Sequence, residues 1–175
     1  GMELPPNIDA AEEAFAGFRE LNPDMVVAGQ GIGDLRACLL GGWTEFGDTR
    51  WFDTSDGKLK PPQLQPGYDA WLAKMNEWWE NGWLYRETFG SYAYQELLKT
   101  GNVGSWVGWY SRMTIHAPRI AQESVPGMLM DFPLGFSGPE GLCQTNQGGR
   151  RNAWVITQKA DNPEAIMRFW NWQTD

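Results

Sequence analysis

Apolar residues recur at three- and four-residue steps in several parts of the chain, and each such stripe predicts a helix. In residues 5–24 the stripe comprises Ala11, Ala14, Phe15, Phe18 and Leu21. Asn7 or Asp9 can cap this helix, and the dipeptide Asn22-Pro23 ends it. The strongest stripe lies in PGYDAWLAKMNEWWENGWL and comprises Tyr68, Trp71, Leu72, Met75, Trp78 and Trp79. We expect Trp71, Met75 and Trp78 to belong to the core.

Four further helical stretches and four or five short strands complete the pattern. The helical stretches are DLRACLLGGWTEFG, which breaks at two glycines, SYAYQELLKTGN, RMTIHAPRIAQES, and DNPEAIMRFWNWQT with Asp161 or Asn162 as its cap. The extended stretches are MVVAGQG, VGSWVGWYS, residues 128–132, NAWVITQKA, and the hairpin RWFDTSDGKLK with its turn at Asp56-Gly57. Helices and strands alternate along the chain, which predicts an α/β or α+β fold.

Composition narrows the classes of protein. The chain has 175 residues, 42% of them hydrophobic and 21% charged, which fits one globular domain. A net charge of −8 argues against binding to nucleic acid or to an anionic membrane. No apolar run approaches the roughly 20 residues of a membrane span, and no signal peptide opens the chain. Cys38 and Cys143 are too few for a disulfide scaffold, and two free thiols are favoured.

Little in the sequence indicates catalysis, a metal or a cofactor. The one histidine, His116, makes a metal cluster or a histidine-centred triad improbable. GQGIGDL lacks the last glycine of a dinucleotide-binding loop, and DTSDGKL lacks the glycine and glutamate of a calcium loop, so both are interpreted as turns. Only Asp34 and Asp131 lie in an apolar strand-end setting that a glycosidase carboxylate would need. We therefore predict a protein that is not an enzyme and that binds no cofactor or metal.

The 11 tryptophans exceed what core packing requires, and they point to stacking on a ligand. Sugars offer a face of C–H groups, on which an indole stacks, and a rim of hydroxyls that amides, carboxylates and guanidinium groups can bind. Polar and aromatic residues follow or precede three predicted strands, where loops form sites. The candidate ligand-binding residues are Trp109, Tyr110, Gln30, Asp34, Trp43, Arg150, Arg151 and Asn152. Each group taken alone is also consistent with a solvated turn.

The order of these segments resembles the extracellular solute-binding proteins of bacterial ABC importers, specifically the large sugar-binding type similar to maltose-binding protein. The stretch LPPNIDAAEEAFAGFRELNPD is similar to an entry helix of that family, and DTSDGKL to its hairpin. YAYQELLKTGNVGSWVGWYS is similar to its helix and glycine-containing strand with a tryptophan near the end. NAWVITQKADNPEAIMRFWNWQTD is similar to its closing segment. The resemblance covers nearly the whole chain and depends on spacing and order.

The resemblance implies a periplasmic-binding-protein-like type II lobe, with a short mixed sheet flanked by helices. Residues 1–175 would be a single domain, the second lobe of a two-lobe protein, with residues 150–175 as the return segment toward the first lobe. The opening Gly-Met and the uncapped helical end likewise predict a piece of a longer protein. Its partners would be a saccharide and an ABC permease, and its location extracellular, cell-surface or periplasmic, as a lipoprotein. Carried over by position, Trp109 and Tyr110 would stack on a sugar ring.

Two alternatives remain open at this stage, and the orientation of the tryptophans bears on them. Because side chains alternate along a strand, positions 106 and 109 lie on opposite faces of the predicted strand. We expect Trp106 to face the interior and Trp109 to face the ligand. A surface module that adheres to carbohydrate or peptide would instead present its aromatic residues as an open platform. A glycoside-active enzyme fragment would depend on Asp131.

Overall fold

The structure, a computed structural model, describes residues 3–29, 31–86, 94–108, 117–131, 133, 135–143 and 155–174. The chain divides into two compact units, Gly1–Thr145 and Asn146–Asp175. The fold is mixed α/β, as predicted. None of the described helices combines the length and the hydropathy needed to cross a bilayer.

Six helices alternate with short strands along the described residues. The helices are α1 (Ile8–Leu21), α2 (Ile32–Leu39), α3 (Tyr68–Glu80), α4 (Tyr94–Lys99), α5 (Ala117–Ser124) and, in the second unit, α6 (Pro163–Thr174). The strands are β1 (Val26–Ala28), β2 (Trp51–Asp53), β3 (Lys58–Lys60), β4 (Val103–Ser105), β5 (Ser137–Gly138) and β6 (Gly141–Leu142). Two 3-10 turns, Leu40–Gly42 and Pro62–Leu64, follow α2 and β3.

The described strands form three separate two-stranded sheets where the sequence predicted one short mixed sheet. β1 pairs with β4 in parallel, whereas β2–β3 and β5–β6 are antiparallel pairs. Each antiparallel pair is joined by a short turn and satisfies its inner backbone groups locally. Among the named strands of the described residues, only β1 and β4 pair in parallel, and the connection between them contains α2, α3 and α4.

Local signals determine the helix boundaries. The side chain of Asn7 accepts a hydrogen bond from the backbone N–H of Ala10 at 2.9 Å, and Asn162 does the same for Ala165 at 3.0 Å. Each of these caps is one of the two candidates that the sequence offered for its helix. The predicted helices that include residues 91–93 and 112–116 extend beyond the described residues at those positions.

The core contains the predicted face of α3. Trp71, Met75 and Trp78 are at most 2% exposed, which confirms the prediction. Leu72 was also expected on this face, but it is 51% exposed. Each helical residue turns about 100° from the one before it, so Leu72 points away from the direction in which Trp71 is buried.

Three strand predictions differ from the structure. β4 ends at Ser105, although the pattern predicted a strand through residue 111, and residues 128–131 and 155–157 do not lie in strands. β1 is only three residues long, so it offers β4 no backbone partner beyond Ser105. Instead, unpredicted strands β5 and β6 form where glycines permit close backbone contact: a Cβ added at Gly138 would lie 2.7 Å from the Cα of Gly42.

α1 and α3 are tied together by a polar link at the border of the core. The indole N–H of Trp78 donates to Glu12 Oε1 at 2.6 Å, and Lys74 Nζ lies 3.0 Å from the same oxygen. Phe15 of α1 makes edge contacts with Trp78 and Trp83, with ring centroids 5.1 and 5.7 Å apart. The link and the ring contacts together fix α3, and the segment that follows it, against α1.

Candidate functional site

The carboxyl ends of β1 and β4 lie at one edge of their parallel pair. Val26 is in register with Val103, and Ala28 with Ser105. The Ser105 hydroxyl donates to the carbonyl of Val27 at 2.7 Å, and the Gly29 N–H donates to the carbonyl of Ser105 at 3.3 Å. The chain segments that follow both strands therefore start side by side.

A third extended segment, residues 83–85, joins this edge from the other side of β1. The Ala28 N–H donates to the carbonyl of Trp83 at 2.9 Å, and the Tyr85 N–H donates to the carbonyl of Ala28 at 3.2 Å. The resulting bridge between Ala28 and Leu84 is parallel. β1 is thus the middle of three parallel segments, and in open α/β sheets ligands bind outside such carboxyl ends. We call this place the carboxyl edge.

Glycine permits the close packing next to the carboxyl edge. A Cβ at Gly29 would lie 3.0 Å from a methyl group of Val103 and 3.1 Å from one of Leu97. Both distances are tighter than ordinary van der Waals contact. A larger residue at position 29 would therefore push β1 and α4 apart just where the chain leaves the sheet.

α2 begins just beyond the carboxyl edge. Gly31 occupies its N-cap position without a side-chain cap, and the N–H of Asp34 donates to the carbonyl of Gly31 at 3.0 Å. The half-buried Asp34 lies in the first turn of α2, where the helix dipole stabilises a carboxylate. The pKa of Cys38 is raised to about 11, mainly by burial and to a smaller extent by the negative charges of Asp34 and Asp48. Asp34 thus brings negative charge to this part of the fold.

The structure describes only two of the predicted site residues. Asp34 lies close to the carboxyl edge, as stated above. Trp43 is 5% exposed and belongs to the core cluster, so its ring offers little surface to a ligand in this structure. The remaining predicted residues lie outside the described residues: Gln30, Trp109, Tyr110, Arg150, Arg151 and Asn152.

The sequence prediction missed the residues that follow the third parallel segment. Tyr85 and Arg86 leave the sheet at the carboxyl edge, next to the chain that leaves β1. The guanidinium carbon of Arg86 lies 5.1 Å from the centroid of a Trp79 ring. The signal was the alternation in the sequence Trp-Leu-Tyr directly after the Asn81-Gly82 turn, but three residues are too few for a reliable period.

Three chemistries that the sequence raised can be compared with the described residues: a glycosidase carboxylate, a metal cluster and a calcium loop. Asp131 is exposed and lies outside any strand, so it lacks the apolar setting that the glycosidase alternative requires. Among the described residues, no group of three or more histidine, cysteine or acidic side chains could hold a metal ion. In the β2–β3 turn, which resembled a calcium loop, the Lys60 ammonium binds Asp53 and lies 3.0 Å from Asp56.

Comparison with known proteins identifies a fold. No family model matches the chain, and no curated protein matches it either. Among solved structures, it is similar to the crystal structure of alginate-binding protein AlgQ2 without calcium ion, with a TM-score of 0.64 and 19% sequence identity. The match covers 98% of this chain and 37% of that one, so the chain spans little more than a third of the neighbour's length. The chain therefore shares the fold of part of a binding protein.

Proposed function

We propose that this chain is a carbohydrate-binding part of an extracellular solute-binding protein that delivers saccharide to an ABC importer, without catalysis. The observation that carries the proposal is the carboxyl edge, at which three parallel segments end together. The likeness to an alginate-binding protein supports it, because alginate is a polysaccharide. The chain would be one lobe of a two-lobe protein of the type similar to maltose-binding protein, with residues 150–175 returning toward the other lobe.

The binding mechanism would combine stacking with hydrogen bonds. Trp109 and Tyr110 follow β4 in the sequence by only a few residues, and we propose that they would stack on the face of a sugar bound at the carboxyl edge. Asp34 and Gln30 would bind sugar hydroxyls, and Arg150, Arg151 and Asn152 are proposed as further hydrogen-bonding groups for the ligand. Closure of the two lobes would then present the loaded protein to the permease.

Calorimetric titration of the chain with neutral and acidic oligosaccharides tests this proposal, with Trp109→Ala as the site variant. Loss of one stacking indole should weaken binding about tenfold. Trp172→Ala is the matched control, because Trp172 of α6 is 72% exposed and its loss leaves no cavity. Equal affinities of the Trp109→Ala variant and the unaltered chain would contradict the proposed site. Absence of binding to any saccharide would contradict the function.

A surface adhesion module is the second candidate, and the aromatic residues of α6 favour it. Phe169 and Trp172 are 52% and 72% exposed, with ring centroids 6.0 Å apart. Such a pair is an open platform on which a carbohydrate or peptide could stack. The same titration separates the two candidates, since loss of affinity in Trp172→Ala, and not in Trp109→Ala, would assign the function to this platform.

A further inference from the structure

Arg86 is the first residue beyond the backbone pairing at the carboxyl edge. The Tyr85 N–H makes the last hydrogen bond of the third segment to β1, and the chain then leaves the sheet. Arg86 is exposed, and its guanidinium lies over a ring of Trp79, 5.1 Å from the centroid. A guanidinium that stacks on an indole keeps its in-plane N–H groups available for hydrogen bonds.

The ionic environment of Arg86 differs from that of many cations in this acidic chain. Among the described residues, Arg36, Lys60, Lys74, Lys99, Arg119 and Arg168 each pair with a carboxylate. Arg86 has no carboxylate partner within the described part of the chain, and its contact there is with Trp79. Other described cations, such as Arg50, also lack a carboxylate partner, but Arg86 lies next to the carboxyl edge, where in a chain of net charge −8 an unpaired cation can attract an anion.

We propose that Arg86 determines specificity by selecting saccharides that carry a carboxylate, which it binds through two parallel hydrogen bonds. This inference rests on the proposed function and adds the chemical class of the ligand. Trp79 would act as a positioning residue, because stacking limits the conformations of the arginine before the ligand arrives. The planar fork of arginine matches a carboxylate better than a lysine ammonium does.

Titration with trigalacturonate and with its methyl ester tests the inference. The two ligands have the same sugar backbone, and only the free acid carries carboxylates. Arg86→Gln should weaken binding of the free acid about tenfold and leave the ester unchanged, because charge-assisted hydrogen bonds are lost only for the acid. The preference of the unaltered chain for the acid should also decline as salt is added.

Arg50→Gln is the matched control, since Arg50 is exposed, precedes β2 and has no carboxylate partner among the described residues. It should leave the affinities for both ligands unchanged. If Arg86→Gln matches this control, or weakens acid and ester equally, the inference is wrong. An unaltered chain that binds the ester as tightly as the acid would overturn the inference and leave the proposed function intact. Failure to bind any saccharide would overturn both.

Discussion

Removal of the Glu12 carboxylate should destabilise the protein, because this group satisfies a buried indole N–H. Trp78 is 2% exposed, and its Nε1 donates to Glu12 Oε1 at 2.6 Å. Lys74 also contacts Glu12, at 3.0 Å. The Glu12→Ala variant leaves the indole N–H in the core border without that acceptor. Lys74 keeps a second carboxylate, that of Glu77 at 2.9 Å, so its charge stays paired.

The expected loss follows from the type of bond. A hydrogen bond to a charged acceptor contributes about 1.5–3 kcal/mol, and an unsatisfied buried donor costs a comparable amount. We therefore expect Glu12→Ala to lower the free energy of unfolding by about 2 kcal/mol. Glu12→Gln should lose about half as much, because the amide oxygen can still accept from Trp78. Glu13→Ala, at the exposed neighbouring position, should change it by less than about 0.5 kcal/mol.

Urea denaturation followed by far-ultraviolet circular dichroism measures these differences. A double-mutant cycle with Trp78→Phe isolates the bond, since phenylalanine has no N–H to leave unsatisfied. In the Trp78→Phe background, Glu12→Ala should cost at least about 1 kcal/mol less than in the unaltered chain. Equal costs in the two backgrounds, or equal losses for Glu12→Ala and Glu13→Ala, would refute the reasoning.

Three further predictions concern a turn, a hairpin and the thiols. In urea denaturation, Gly67→Ala should lower the free energy of unfolding by about 1–3 kcal/mol more than Gly57→Ala does. Both glycines have a positive φ, but of the two only Gly67 is so close to backbone that an added Cβ would lie 1.9 Å from the Trp43 carbonyl oxygen. Equal losses in the two variants would contradict this prediction. The hydrogen bond from Lys60 is the largest cause, and those from Ser55 the next largest, of the fall in the pKa of Asp53 from 3.8 to about 2. The contact between Lys60 and the Asp53 carboxylate therefore stabilises the hairpin above pH 3.8, and this stabilisation is lost as the pH falls toward 2. Lys60→Met should raise the pKa of Asp53 back toward 3.8 in a carboxyl-carbon NMR titration, and an unchanged titration would show that Lys60 does not cause the shift. Burial raises the pKa of Cys143 to about 12, and burial together with nearby carboxylates raises the pKa of Cys38 to about 11. At pH 8 a thiol reagent should therefore label both cysteines far more slowly in the folded chain than in urea. Equal labelling rates in the two conditions would contradict the burial of the thiols.

The helices were predictable because their signals are local. The Asn7 cap and the stripe that contains Trp71, Met75 and Trp78 can be recognised within a few turns of sequence. Leu72 shows the limit of this approach. Its apolar side chain fits the helical pattern at the border of the buried stripe. Whether a residue at that border is buried or exposed depends on which parts of the fold pack against the helix, and the local sequence does not determine this.

The carboxyl edge was only partly predictable, because it depends on pairing between distant parts of the chain. The sequence indicated β1 and β4 separately, and the expectation that polar strand ends converge requires their parallel register. Residues 83–85 form one bridge to β1, which is too short to leave a recognisable alternating pattern. Tyr85 and Arg86 were therefore missed, although their backbone position at the edge follows directly from that bridge.

Burial and position separate six of the described tryptophans into two groups, and the division bears on the proposed function. Trp43, Trp71 and Trp78 are at most 5% exposed and are part of the core. Trp79, Trp83 and Trp106 are half-buried, and each lies near one of the parallel segments: Trp79 contacts Arg86, Trp83 begins the third segment, and Trp106 follows β4. Trp79 and Trp83 also pack against the core, but as half-buried rings they leave part of their apolar surface uncovered near the parallel segments. An edge that is rich in such rings is suited to a ligand with an apolar face, which is the property that a sugar ring has.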